Sequence, residues 1–430
     1  MNRKLVLVLV FLMLCGSFAV LFAKPIVANQ LPSDGFTIRA DGSIYPSTLL
    51  ISTSDNVTYT LTGNISSSSY GIVVERNNTI IDGNGYTLQG SNASNAGFLL
   101  SDVRNVTIRK TAIANFDFGI ELNFSSDNTL SSNNVVSRLD GISLYYSFDN
   151  TVVSNNVTSS QEYAFDFIRS SDNTILNNNV ANGQWGILLL YSSNNIWSGN
   201  NIIENVECIR LDDSFANKIF HNNFIKNKWQ AFDDWNSTGA WDNGVEGNYW
   251  SDYNGTDSNQ DGTGDTSYVI DANNTDHYPL MGPFQSFNVS IWNRPDDGFE
   301  EVDVISNFTI SHVDLYGWLT TPNQYLQAGQ IFLSLTPVQG HNITIGFCRI
   351  TLPNNILNTS DYTVLIDLTP INTSKLATSN ETHTALYFTF NSSALDGIMI
   401  IPEFPTFLVL PLFMMAALLA VMVYKKKQHT

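Results

Sequence analysis

Two groups of residues in this 430-residue chain have the types and spacing that chemistry needs. The first is a loop. Asp257, Asn259, Asp261 and Asp265 stand at positions 1, 3, 5 and 9 of a calcium loop of the EF-hand kind, with Gly262 at position 6 for the sharp turn and Thr263 offering its carbonyl. Position 12 is Tyr268 where a bidentate Glu would stand, and no helical pattern flanks the loop. The expectation is an isolated, weaker Ca2+ site, competing with a plain turn-rich loop. The second group is a strip of acids and aromatics recurring at a fixed interval. Glu121, Ser143, Asp166, Leu188, Arg210 and Asp233 form one line, and Asn123, Tyr145, Ile168, Leu190, Asp212 and Trp235 another. If both lines face solvent, aromatics among carboxylates can stack on sugar rings and hydrogen-bond their hydroxyls. Trp185 lies just before the same columns, as do Phe118 and Tyr163. Acids one or two repeats apart would lie ~5–10 Å from each other. That range covers both glycosidase geometries, with Asp166, Asp212 and Asp233 as candidate acids. Arg210 beside Asp212 and Asp233 could equally make a salt-bridge cluster.

What must position these residues is a repeat of about 22 residues. Asn followed two residues on by an aliphatic recurs at 78, 105, 128, 150, 173, 195 and 217. Asn before an apolar residue recurs at 134, 156, 179, 201 and 223. A small residue recurs as Gly97, Gly119, Gly141, Ala164, Gly186, Cys208 and Ala231. Within each repeat the apolar runs are strand-length, alternating, and separated by Asn, Ser, Asp and Gly. The pattern predicts an all-β chain whose centre is a right-handed parallel β-helix with three short strands per coil. About seven coils at ~4.8 Å each give a rod of ~34 Å. Asn suits the left-handed backbone where one strand bends into the next, and aligned Asn side chains can form amide ladders. Cys208, in the small-residue column, reads as packing, and His221 as a solvated turn residue.

Asn173-Thr174-Ile175 with Asn177-Asn178-Asn179, and Gly247-Asn248-Tyr249-Trp250-Ser251-Asp252-Tyr253, resemble the NosD-type periplasmic β-helix proteins and the wider carbohydrate-binding and sugar-hydrolase β-helix domains. The resemblance covers roughly residues 70–282 and implies the fold more than a chemistry. The family's association with copper implies clustered His, Met and thiolate. Met281, Met399, His221, His277, His312, His341, His383 and the separated Cys208 and Cys348 show no close ligand spacing, so copper is not expected.

Around the rod the chain divides into residues 1–28 as export signal, 29–70 as N-terminal cap and first coil, 71–284 as β-helix with a C-terminal cap loop, 285–400 as a β-sandwich, and 401–430 as a tail. Arg3 and Lys4 precede the apolar Leu5–Leu14 run, with cleavage expected near Ala23 or after Ala28. Cys15 falls in the discarded segment. Phe407–Tyr424 is long enough to span a bilayer, and Lys425-Lys426-Lys427 should stay cytoplasmic. Pro402-Glu403-Phe404-Pro405 before the span resembles the PEF-type sorting signal of archaeal surface proteins. That implies removal of the tail and attachment to a lipid; a plain single-span anchor fits as well. Asn-X-Ser/Thr occurs seventeen times, as a glycosylated surface would have.

The net charge is −19, but five of the twenty basic residues sit in residues 1–23 and 404–430. The span between carries 39 acids against 15 bases, which disfavours nucleic acid. The expected function is glycan or cell-envelope binding without catalysis, on a surface protein anchored at its C-terminus. The alternatives are a carbohydrate-active enzyme, a lyase or hydrolase, using acids on the exposed face, and an accessory factor for a secreted copper enzyme.

Overall fold

A computed structural model describes residues 35–158, 161–181, 183–233, 237–290, 299–317, 329–337, 345–356, 361–366, 369–391 and 398–402. The expected export signal, the membrane span, the sorting motif from Glu403 onward, Trp235 and His341 lie outside them. No helix among the described residues is long and apolar enough to cross a membrane. The chain forms two compact units, residues 1–258 with 263–280, and residues 259–262 with 281–430.

The first unit is a right-handed parallel β-helix of about eight coils. Each coil contributes one strand to each of three faces. On the first face, Ile142–Tyr145 pairs in parallel with Tyr163–Ile168, which pairs with Trp185–Leu190, which pairs with Glu207–Asp212. The second face stacks ten strands, among them Thr151–Val153, Thr174–Leu176 and Ile196–Ser198. The third stacks Asn134–Val136, Asn156–Thr158, Asn179–Ala181 and Asn201–Ile203. Because side chains alternate along a strand, each face sends the same columns inward in every coil. Ile142, Phe165, Ile187 and Ile209 stack on the first face, Val152, Ile175, Trp197 and Ile219 on the second, and Val157, Val180, Ile202 and Phe224 on the third, all buried. Each such side chain adds about 1.5–3 kcal/mol of burial, and only by resting on the coils either side.

The small-residue column has a packing cause. A Cβ on Gly141 would collide with Val157 Cγ1 and with the carbonyl oxygen of Ala164 in the next coil. Cys208 is buried in that column, and burial raises its thiol well above the usual range, so it is packing and no nucleophile.

The corners are held by ladders. Asn128, Asn150, Asn173, Asn195 and Asn217 are buried one above another. The Asn150 amide N–H and Nδ2 both donate to Asn173 Oδ1, at 2.9 and 3.0 Å, and Nδ2 also donates to the Ser125 carbonyl. A second ladder runs through Asn133, Asn155, Asn178, Asn200, Asn222 and Asn248, and a serine ladder through Ser125, Ser147, Ser170, Ser192, Ser214 and Ser237. In the asparagine ladders the backbone N–H and one Nδ2 hydrogen reach to the Oδ1 of the coil that follows, and Nδ2 also donates to a carbonyl of the coil before. The second ladder ends on Asp276, whose buried carboxylate accepts from the Asn248 amide at 2.7 Å, Trp250 Nε1 at 2.8 Å and the Tyr278 amide at 3.0 Å.

Two expectations change here. The ladder asparagines from Asn128 onward are not the left-handed residues. Those precede them: Asp127, Asp149, Asp172, Asn194 and even Ala216 have φ near +56°. The turn needs a left-handed residue and the ladder needs an inward amide, and one residue cannot serve both. His221 is likewise a left-handed turn residue, but its ring is held by Glu246 at 2.8 Å rather than left to solvent.

In the second unit the described strands form two five-stranded antiparallel sheets. Their inward residues, including Val304, Ile350 and Phe388 from one and Ile310, Leu333 and Ile400 from the other, share one apolar core.

Candidate functional site

The first face of the helix gathers most of the predicted site. Its registers place Tyr163, Trp185, Glu207 and Trp229 in one row, and Ser143, Asp166, Leu188, Arg210 and Phe232 in another. Leu190 and Asp212 pair one step farther out. The Tyr163 ring stacks on Trp185, with centroids 5.2 Å apart and planes 26° apart. Burial raises the Tyr163 phenol, Arg210 opposes this, and Asp166, Glu207 and Asp212 add to it. That phenol therefore feels charges from its own coil and from the coil two farther along.

The acids are less exposed than the alternation implies. Asp166 is 9% exposed and Asp212 is 5% exposed. Burial pushes the Asp166 carboxyl up to about 7, with the carboxylates of Asp140 and Glu162 adding to it. Asp140 is pushed up to about 6, first by burial and then by Glu162 and Glu121, while the Tyr163 amide opposes the rise. Asp212 is held by Arg210 Nε at 2.9 Å. Buried Asp166 Oδ1 and Glu207 Oε2 have no hydrogen-bond partner among the described residues. Trp229, 51% exposed, carries Lys228 Nζ 4.2 Å over its ring, and exposed Phe232 lies under the Arg210 guanidinium at 5.7 Å.

The predicted residues thus separate. Asp166, Trp185, Arg210 and Asp212 come together. Glu121 heads the Ser143–Asp166 row as expected, two coils before Asp166, where it is half-buried and accepts from Asn123 Nδ2 at 2.8 Å. Tyr145 likewise keeps its expected row with Ile168, Leu190 and Asp212, but its ring packs edge-on to Phe124 and Tyr146. Asp233 pairs with Leu211, not with Arg210, so its backbone is one step off the expected line. The spacing from row to row stays at 22 in this coil, whereas aligning Ala231 with Cys208 had required 23; a strict count would have found Phe232 instead. Glu207, Asp140, Trp229 and Phe232 were missed for lack of a repeated residue type.

A corner column was also missed. Phe124, Tyr146, Arg169 and Tyr191 succeed one another at left-handed positions. Phe124 stacks on Tyr146 at 5.2 Å, and the Arg169 guanidinium lies 5.7 Å from the Tyr146 ring and 4.7 Å from that of Tyr191. The rings lie one above another, so the column exposes edges rather than flat faces.

The proposed calcium ligands divide between the units: Asp257, Thr263 and Asp265 in the first, Asn259 and Asp261 in the second. Asp265 accepts from the Ser258 amide at 2.8 Å and from Thr256 Oγ1, and the Ser258 bonds hold its carboxyl below the usual range. Asn259 Nδ2 donates to Asp261 Oδ2 at 2.9 Å.

A family model described as periplasmic copper-binding protein (NosD) matches residues 63–255. This is a parallel β-helix protein. Solved structures of similar fold include the periplasmic alginate epimerase AlgG, at 14% identity and TM-score 0.31 over 41% of this chain and 66% of that one. The Dettilon tailspike protein is similar at 11% identity and TM-score 0.33, over 78% of this chain and 81% of that one. The enzymatically active domain of bacteriophage CBA120 tailspike protein 2 follows at 9% and 0.35, over 79% and 71%. The chain spans less than two thirds of the epimerase's length, and scores of this size carry no argument about the site. No curated protein matches the sequence.

The donor set was tested against copper. Among the described residues no three His, Cys, Asp or Glu side chains gather as a metal site. Cys208 and Cys348 are both buried, in separate units, with thiols raised by burial. His277 is paired with Asp242 and His312 with Asp314. These residues do not fit a copper centre.

Proposed function

We propose that this is a cell-surface protein whose β-helix binds glycans, without turning them over, on the face formed by Tyr163, Asp166, Trp185, Glu207, Arg210 and Asp212. One observation carries the reading: the Tyr163–Trp185 stack shares its face with Asp166, Glu207, Asp212 and Arg210. Aromatic rings beside hydrogen-bonding side chains are what a sugar, apolar on its ring faces and polar at its edges, requires. Export through residues 1–28, a β-sandwich at 285–400, and retention by the 407–424 span or by a lipid after tail removal complete the proposal.

The test is a glycan array on the protein, followed by a depolymerisation assay on every hit. Trp185→Ala is expected to weaken binding about 10-fold or more, the scale of one lost aromatic contact. Retained binding in that variant sinks the assignment of the face. Turnover of a bound glycan would favour the second reading, a carbohydrate-active enzyme. That reading draws on Asp166, whose carboxyl, raised to about 7, suits a general acid. Against it, Asp212, the other acid a two-carboxylate mechanism would use, is tied to Arg210. Calcium at residues 257–265 is a separate part of the proposal. Absence of heat in a calorimetric titration with millimolar calcium would remove it.

A further inference from the structure

We infer that the glycan this face selects carries free amino groups, and that Asp166 receives one of them as an ammonium. The inference rests on the proposed glycan-binding role and names its ligand class. Asp166 is 9% exposed, and its Oδ1 is fully buried with no hydrogen-bond partner among the described residues. Glu207 Oε2, on the strand two coils farther along the same face, is in the same condition. A buried acceptor without a donor is costly, and a ligand that brings the donor recovers that cost.

Charge narrows the class. Asp140 and Glu162 face Asp166 from the preceding coil and the turn before its own strand. Tyr163, Glu207 and Asp212 share the surroundings, with Arg210 as the cation, and Arg210 is already closed on Asp212 at 2.9 Å. A uronate or sulfated sugar would set its anion among these carboxylates, with Arg210 engaged and the other cation of this row, Lys228 over Trp229, three coils from Asp166. An N-acetylated sugar would bring donors but no charge. An ammonium brings both. A bare metal ion is the wrong occupant, because no three of these acids approach closely enough to hold one. A larger organic cation, with a ring to lie on Tyr163 and Trp185, fits. Coils ~4.8 Å apart place Asp166 and Glu207 on strands ~10 Å apart, a span that an oligosaccharide covers and one amine does not. Exposed Trp229 continues the aromatic row one coil beyond Glu207.

The experiment is calorimetry on the full chain with three oligosaccharides of equal length: β-1,4-glucosamine, its N-acetylated form, and galacturonate. The glucosamine oligomer is expected to bind at least 10-fold tighter than the N-acetylated one, and galacturonate not measurably. Asp166→Asn should remove most of that preference, and Trp185→Ala should weaken both. Equal affinity for amino and N-acetyl forms, or tighter binding of galacturonate, overturns the inference and leaves glycan binding intact. An Asp166→Asn variant that keeps the full preference also overturns it, since attraction to the acidic surface at large would then suffice. If no oligosaccharide binds and the glycan array is blank, both readings fall.

Discussion

The corner ladders and the first-face site are both buried polar regions, and they have opposite accounts. In the ladder around Asn173, every amide group is matched. Oδ1 accepts from the Asn150 amide and side chain, and Nδ2 donates to the Ser147 and Ser171 carbonyls and to Asn195. At the first face, carboxylate oxygens of Asp166 and Glu207 are buried without a donor. Two aspartates sharpen the contrast. Asp276 is buried with three donors on its carboxylate, and Asp166 is buried with none of its own. Buried polarity that is fully paired marks architecture here. The two open carboxylate oxygens lie instead on the face where a ligand is proposed to bind.

The contrast predicts substitutions of opposite sign. Asn173→Ala leaves the Asn150 donors unmatched in the interior and removes the side-chain bond to the Ser147 carbonyl, while Asn195 Oδ1 keeps the residue-173 amide; it should cost about 3–4 kcal/mol. Urea unfolding followed by tryptophan fluorescence would measure it; a loss under 1 kcal/mol would mean the ladder is ornament. Asp276→Ala strands three donors and should cost about 3 kcal/mol in the same assay.

Asp166→Asn should stabilise, and only at higher pH. The folded carboxyl titrates at about 7 against 3.8 for the ordinary group, so between those values the folded state holds the extra proton. Stability therefore falls as pH rises through that window, and the full penalty is present above about 7. Removing the acid should gain about 2 kcal/mol at pH 8 and almost nothing at pH 4. Destabilisation at pH 8 would show that Asp166 belongs with Asp276 after all. Smallest is Ser170→Ala, about 1–2 kcal/mol, because one hydroxyl accepting from the Ser147 amide and donating to the Leu144 carbonyl is lost.

The same contrast explains what could be read from the sequence. A ladder repeats one residue type in every coil, since each rung must both give and take the same bond. Asn and the small residues therefore mark out the 22-residue period before any coordinates are known. The site repeats nothing: Ser143, Asp166, Leu188, Arg210 and Phe232 share a row and no chemistry. Periodicity indicated which row would face out. It could not show that Asp166 is only 9% exposed, that the Tyr163 ring stacks on Trp185, or that Glu207 shares their row. A left-handed residue directly before each ladder asparagine was also out of reach, because Asp127, Asp149 and Ala216 do not advertise the same backbone.

The ladders have one more property. From Asn133 to Asn222 each side-chain amide donates one N–H to the Oδ1 of the next rung ahead, so these rung-to-rung bonds all run the same way along the stack. Aligned bonds of this kind polarise one another. The column acquires a positive pole at its Asn248 end, and there it meets the Asp276 carboxylate, as an anion meets the N-terminus of an α-helix. Lengthening the rod by whole coils anywhere before Asn248 would preserve that match, whereas truncating it between Asn248 and Asp276 would leave a row of dipoles with no counter-charge at its head.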